Sequence, residues 1–261
     1  MKVAVVQTDP VFGNKDKNID GALELMQSVK AELYVLPELF ATGYNFVSRE
    51  EARSLSEPLK GGKIFSALEQ FVKKQKSFVV YGFVEEDGGV LYNSAAIVGF
   101  DGTVGSYRKI HLFDREKLFF TPGNMPFQVF STPFGQVGIM ICFDWYFPES
   151  ARTLAVKGAQ LIAHPANLVL PHCPDSMPVR CLENRVFAAT ANRVGSEDRG
   201  GTKLTYTGRS QVTSPMGEII HRSSADRPEI AVSDVDLSVA DNKNVTSRNN
   251  LFQDRRPEFY S

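Results

Sequence analysis

The sequence predicts an α/β fold in which two mixed β-sheets pack face to face with helices outside, and three observations carry that prediction. Short apolar runs that suit buried strands, such as Val3–Val6 and Leu161–Ala163, alternate with segments whose apolar residues recur at helical spacing. Two turns, Asp87-Gly88-Gly89 and Pro215-Met216-Gly217, each join strand-like runs as hairpins, so antiparallel pairs are expected beside helical crossovers. About eleven strand candidates are more than one compact open sheet holds comfortably, which favours two sheets. A chain of 261 residues lies near the roughly 250–300-residue limit of a single core, so one domain over residues 1–261 is expected.

The elements follow in order. Lys2–Gln7 reads as a strand, and Asn18–Lys30 as a helix through Ala22, Leu23, Leu25, Met26 and Val29. Glu32–Leu36 is a strand running into Pro37-Glu38-Leu39. Ser48–Leu55 and Gly62–Lys76 read as helices, and Ser77–Glu85, Val90–Phe100 and Thr103–His111 as strands. Asp114 to Gly123 is a long loop dense in charge and aromatics, which in a compact domain is more often functional than idle. Phe127–Phe130 and Gly135–Ile141 are strands leading to Cys142. Beyond it lies a helix, Pro148–Lys157, with Gly158 as its cap. Leu161–His164 is a strand; a loop through Pro171, His172, Cys173, Pro174 and Pro178 leads to a helical stretch near Arg180–Arg185. Val186–Val194 is a strand, Gly195–Gly201 a polar loop, Arg209–Ser214 with Glu218–Arg222 a hairpin, and Glu229–Leu237 the last strand. The tail, residues 242–261, is mostly polar. Its Leu251, Phe252, Phe259 and Tyr260 are spaced as anchors for an interface with a second subunit.

Composition excludes several classes. Hydrophobic residues at 43%, charged residues at 23% and a net charge of −1 are ordinary globular values without a basic face, so no nucleic-acid partner is expected. No segment approaches the ~18 apolar residues of a membrane span, and the first strand is too short for a signal-peptide core. Three cysteines at unrepeated spacings fit a reducing compartment, and a cytoplasmic protein without membrane contact is expected.

Three strand ends carry chemistry. Cys142 stands where a buried strand stops; a thiol there is either a small core group or a nucleophile projecting from a rigid sheet edge. Glu38, between Pro37 and Leu39, either caps a surface turn or is desolvated into a base that works near neutral pH. Lys109 alone reads as a solvated lysine. Together, a carboxylate, an ammonium and a thiol form a complete set for acyl transfer. Among the four histidines, His111 and His164 lie near strand ends but are as readily structural.

On these residues the chain resembles the nitrilase superfamily of carbon–nitrogen hydrolases. Leu36-Pro37-Glu38, Tyr107-Arg108-Lys109-Ile110-His111 and Ile141-Cys142-Phe143-Asp144 with Phe147-Pro148-Glu149 match its three catalytic motifs in order. Gly43, Asn93, Pro122-Gly123, Pro165-Ala166-Asn167 and Arg255-Arg256-Pro257 extend the match from about Val3 to Tyr260. The resemblance implies a four-layer αββα sandwich, dimeric or larger, with no metal and no organic cofactor. It implies that Cys142 attacks the substrate carbon, Glu38 exchanges protons and Lys109 stabilises the tetrahedral intermediate. It also implies that Glu116 positions substrate and the Phe143 N–H completes an oxyanion hole. Tyr44, Asn167 and Trp145 are expected, with Phe143, to contact substrate. Nitrilases in the strict sense follow the nucleophile with Trp-Glu, whereas Phe143-Asp144 looks more like the amidase and carbamoylase branches. Some relatives with Cys-Phe-Asp are described as small aliphatic nitrilases. Asn167–Leu170 offers no charged anchor of the kind carbamoylases use, so a small aliphatic amide is the expected substrate, with a nitrile or an N-carbamoyl compound as alternatives.

Overall fold

The computed structural model describes residues 1–260. The first half of the chain supplies β1 (Lys2–Gln7), α1 (Lys15–Gln27), β2 (Leu33–Val35), α2 (Arg49–Leu55), α3 (Lys63–Gln75), β3 (Phe78–Asp87), β4 (Val90–Gly99), β5 (Val104–Arg108) and α4 (Glu116–Phe119). Next come β6 (Val129–Thr132), β7 (Gly135–Ile139), α5 (Pro148–Val156), β8 (Leu161–Pro165), α6 (Cys173–Asn184) and β9 (Phe187–Ala191). The last strands are β10 (Ser196–Arg199), β11 (Thr202–Thr205), β12 (Gln211–Thr213), β13 (Ile219–Arg222) and β14 (Glu229–Asp234). Two six-stranded sheets result, ordered β14-β1-β2-β3-β4-β5 and β13-β12-β9-β8-β7-β6, with β10-β11 as a separate ribbon.

Each sheet has a parallel centre, β1-β2-β3 in one and β7-β8-β9 in the other, joined by helical crossovers and flanked by antiparallel strands. The period of two along β1 explains the layering. Val3 and Val5 face the second sheet in a core with Ile139, Leu161, Ala163 and Ala189, while Ala4 and Val6 face away toward Ile19 and Met26 of α1 and Leu68 of α3. On the far side, Ala151 and Leu154 of α5 and Met177 of α6 cover the second sheet. The arrangement is a four-layer αββα sandwich with mixed sheets, as expected.

Several local readings change. The helix expected near Arg180 begins at Cys173 and runs through both Pro174 and Pro178. Pro178 has no N–H to give the carbonyl four residues back, and that carbonyl, on Pro174, instead accepts from Gln211 Nε2 and Arg222, each at 2.9 Å. The polar loop at Gly195–Gly201 proves to be most of a hairpin, its turn made by Gly200 and Gly201, both at positive φ. Its polar strands carry no apolar alternation to reveal them. The loop from Asp114 to Gly123 contains the short α4. Among the described residues, no helix is long and apolar enough to cross a membrane.

The tail expected at an interface divides in two. Lys243 Nζ donates to the carbonyls of Asn184 and Arg185 (3.2 and 2.8 Å), and half-buried Phe252 packs on the core with Arg152 against its ring. Phe259 and Tyr260 stand 70% and 58% exposed. Ser261 lies outside the described residues.

Gly82 of β3 crosses close beneath the turn at Glu38 and Leu39. A Cβ there would lie 2.5 Å from Glu38 Cα and 2.6 Å from the Leu39 nitrogen, and neither is the end of a flexible side chain. Gly82→Ala should lower stability by about 1–3 kcal/mol through overpacking. Gly21→Ala, in exposed helix with open space around it, should raise it by about 0.5–1 kcal/mol. Thermal midpoints that stay equal for wild type and Gly82→Ala would show that the crossing has slack.

Candidate active site

Parallel strands in both sheets end at one rim. β5 runs in the direction of β2 and β3, since it is antiparallel to β4, which is antiparallel to β3. Glu38 after β2 and Lys109 after β5 therefore leave the first sheet at one end. Cys142 after β7 and Asn167 after β8 leave the second sheet in the same way. Such carboxyl ends are where open α/β sheets bind ligands.

Glu38 has no exposed surface. Leu39, at φ 50°, turns the chain immediately after it, and its carbonyl accepts from the N–H groups of Thr42 and Gly43 at 3.1 Å. One carboxylate oxygen, Oε1, accepts from Asn93 Nδ2 and Lys109 Nζ, both at 2.7 Å. The other, Oε2, has no hydrogen-bond partner among the described residues. Burial raises this carboxyl from 4.5 to about 7, against the opposing pull of Lys109 and with a further push from Glu116.

Lys109 is equally buried. Its backbone is pinned on both sides, by its N–H to the Asn93 carbonyl and by the Gly123 N–H to its own carbonyl, each at 2.8 Å. Gly123 has to be glycine there, because a Cβ would fall 2.1 Å from the Arg108 carbonyl oxygen. Lys109 Nζ donates to Glu38 Oε1 and to Glu116 Oε1 at 2.7 Å each, leaving one of its three N–H bonds uncommitted among the described residues. Burial alone would lower the ammonium's pKa, but the Glu116 and Glu38 carboxylates outweigh it and hold the proton firmly. Glu116 is braced in turn by the Tyr44 hydroxyl on Oε1 and the Phe113 N–H on Oε2.

Cys142 forms an elbow. β7 stops at Ile139, and Cys142, at φ 41°, opens a 3-10 turn, Cys142–Tyr146, before α5 begins at Pro148. Positive φ is unusual for a residue with a side chain and is held by its surroundings. Asp144 does much of that holding. It is fully buried and accepts from the Ile141 N–H (2.8 Å), the Tyr107 hydroxyl (2.9 Å) and His111 Nδ1 (2.7 Å). Burial and the Glu38 carboxylate push the Cys142 thiol well above its ordinary range, with Lys109 and the Asn167 backbone N–H pulling the other way. Burial and the nearby carboxylates thus both favour the protonated thiol.

The other expected substrate residues fall into different places. Cys142, Phe143, Trp145, Asn167 and Leu168 to Leu170 line one narrow cleft, with Phe113 and Tyr146 also in its lining. Tyr44 lines an adjoining chamber with Glu116, and the two spaces share Phe113 and Val169 as a wall. Asn167 Nδ2 donates to the Glu38 carbonyl at 2.8 Å, tying the two sheets together behind the thiol. An open depression of about 990 Å3 beside Arg152, Asn249 and Asp254 gathers no nucleophile or acid–base pair.

Three supporting residues were not foreseen in these roles. Asn93 has a signal in retrospect, a polar pair with Ser94 inside an otherwise apolar hairpin strand. Asp144 and Glu197 have none, because the partners that define these roles, Tyr107 and His111 for the one and Tyr44 and Asn45 for the other, are remote in sequence. Glu197, fully paired with buried Arg193, also accepts from the Tyr44 and Asn45 N–H groups (3.1 and 2.6 Å) and so fixes the loop that carries Tyr44.

Comparison with known proteins follows this geometry. The model of the carbon-nitrogen hydrolase family matches residues 2–243. A Pyrococcus abyssi protein called nitrilase is 48% identical over 263 aligned positions, covering 100% of this chain and 99% of that one. An N-carbamoylputrescine amidase of Arabidopsis thaliana is 30% identical, covering 93% and 88% of the two chains. The crystal structure of an amidase from Nesterenkonia sp. superposes with a TM-score of 0.81 at 27% identity, covering 99% and 94%. Buried carboxylate, ammonium and thiol at the shared rim of a doubled sheet thus come with whole-chain sequence likeness, and the chain belongs to the carbon–nitrogen hydrolases of the nitrilase superfamily.

Proposed function

We propose that this hydrolase cleaves short aliphatic primary amides through a thioester on Cys142, with Glu38, Lys109 and Cys142 as its catalytic triad. The observation that carries the reading is the pairing of Lys109 Nζ with Glu38 Oε1 and Glu116 Oε1 at 2.7 Å beside a neutral buried thiol. As Cys142 Sγ attacks the amide carbon, its proton passes to the unpartnered Oε2 of Glu38. The tetrahedral oxyanion is met by the free N–H of Lys109 and the backbone N–H of Phe143. Glu38 returns the proton to the leaving nitrogen, ammonia departs and the acyl group stays on sulfur. Water, losing a proton to Glu38, then attacks the thioester; the acid leaves, and the proton goes back to Cys142. Glu116 keeps Lys109 aimed throughout.

The cleft supports a small apolar acyl group. It is narrow, lined mostly by Phe, Trp, Tyr, Leu and Val side chains, and its walls carry no charged side chain. A mutant of the Nesterenkonia amidase is described in complex with butyramide, which is of this size and class. The name of the Pyrococcus protein favours a second reading, in which a nitrile passes through a thioimidate at the same cysteine. Ammonia release across butyramide, butyronitrile and N-carbamoylputrescine should be fastest with the amide. Faster release from the cationic carbamoyl compound would sink the reading of an apolar, uncharged acyl pocket. Cys142→Ala should lose turnover while keeping its fold, whereas Cys173→Ser, inside α6, should keep it; the reverse pattern would mean the nucleophile is misassigned.

The pKa of Glu38 gives opposite pH trends for activity and stability. Protonated Glu38 cannot take the thiol proton, so kcat/KM should fall on the acid side with an apparent pKa near 7 that belongs to the coupled cluster. Because the folded pKa is raised, Glu38's contribution to stability is full below its unfolded value of 4.5 and disappears as pH rises through about 7. The stability advantage of wild type over Glu38→Gln should therefore shrink between those values. An advantage that grows with pH in thermal melts would contradict the assignment.

We also propose that the exposed end of the tail, Phe259 and Tyr260, seats on a second subunit. Aromatic residues flanked by Arg255 and Arg256 have the composition of an interface. Deleting residues 254–261 should lower the mass seen in sedimentation and reduce the rate. An unchanged mass would leave the tail without that role.

A further inference from the structure

His164 is a buried imidazole for which the reaction scheme has no task. It lies on β8 beside the strand that leads to Cys142, and it has no exposed surface. Nε2 is 3.0 Å from the Cys142 carbonyl oxygen, and Nδ1 is 3.0 Å from Thr190 Oγ1. A carbonyl can only accept, so Nε2 carries the proton and the Thr190 hydroxyl donates to Nδ1. Burial lowers the imidazole's pKa to about 4, so the ring is neutral where the enzyme works.

The bonded carbonyl is half of a functional group. The Cys142 carbonyl and the Phe143 N–H belong to one trans, planar peptide, in which they point in opposite directions. Holding the oxygen fixes the direction of the N–H. The need for an outside hold is plain at this residue, since Cys142 sits at φ 41°, outside the right-handed conformation of the 3-10 turn that it opens. We propose that His164 is a positioning residue that aims the Phe143 N–H at the reacting oxygen by gripping the Cys142 carbonyl. The inference rests on Cys142 as nucleophile and Phe143 as oxyanion donor, the roles assigned above.

The test compares two reactions of the same sulfur in the full-length protein. Hydrolysis of butyramide passes through an oxyanion; alkylation of Cys142 by iodoacetamide, a displacement at a methylene carbon, does not. His164→Leu removes the grip and should lower kcat on butyramide by about 10- to 100-fold, the scale of a misaimed group. KM and the rate of Cys142 alkylation should hold. His164→Gln, whose amide Nε2 stands near the lost ring nitrogen, should recover most of the rate. Undiminished kcat in His164→Leu overturns the proposal. So does a parallel fall of kcat and alkylation, which is the mark of general disruption. If His164→Leu does not fold, Thr190→Val, which leaves Nδ1 without its donor, should show the same split at smaller size, and an unchanged kcat there is equally fatal. Turnover that survives in Cys142→Ala overturns the nucleophile reading and this one together, so the two failures are distinguishable.

Discussion

Lys109 places an ammonium where no water reaches it, 2.7 Å from one oxygen of each of two carboxylates, Glu38 and Glu116. Much of the structure can be read as what that arrangement requires. A buried charge stripped of one partner costs roughly 3–5 kcal/mol, so the backbone around all three residues has to be held closely. The Lys109 main chain is bonded on both sides, Gly123 approaches closer than any side chain would allow, and Glu38 is backed by Gly82. These contacts come from β3, β4 and the loops after β2 and β5, so the cluster and the first sheet stabilise one another.

The cluster also decides the state of the thiol. Two carboxylates and one ammonium leave an excess negative charge near Cys142, and burial acts in the same direction, so both raise the thiol's pKa. A cysteine activated by a neighbouring cation alone would begin as a thiolate. Here the desolvation that keeps the thiol neutral also raises Glu38 to about 7, close to where a base transfers protons well at neutral pH. The Glu38 carboxyl and the Cys142 thiol are thus shifted together by one shared environment.

The sequence made the layers and the three clustered residues, Glu38, Lys109 and Cys142, legible for different reasons. Strands such as Lys2–Gln7 and Leu161–Ala163 announce themselves because both faces are buried, leaving a continuous apolar run. Glu38 and Cys142 stood out because each ends such a run, whereas Lys109, after Gly105-Ser106-Tyr107-Arg108, reads as a solvated lysine until it is set beside the other two. The two ribbon strands at Ser196–Arg199 and Thr202–Thr205 were not, since a hairpin with polar faces has no periodic signal apart from its Gly-Gly turn. α6 was read as starting too late because its two prolines argue against a helix, and the compensation for Pro178 comes from Gln211 and Arg222 far along the chain. Asp144, His164 and Glu197 share that limit. A buried polar residue is intelligible only with its partners, and Tyr107 and His111 for Asp144, Thr190 for His164 and Tyr44 for Glu197 are brought near only by the fold.

Those unforeseen residues are what join the two sheets into one site. Glu38 and Lys109 belong to the first sheet, Cys142 and Phe143 to the second, and catalysis requires their separation to be held to a fraction of an ångström. Apolar packing between the sheets is close but non-directional and tolerates small slips. Hydrogen bonds across it do not: Tyr107 to Asp144 ties the strand of Lys109 to the elbow of Cys142, and Asn167 to the Glu38 carbonyl ties the turn of Glu38 to the end of β8, while Glu197 of the separate ribbon holds the turn bearing Tyr44. Each is a buried polar contact whose loss leaves a partner unsatisfied, and it is this penalty that fixes the register of one sheet over the other.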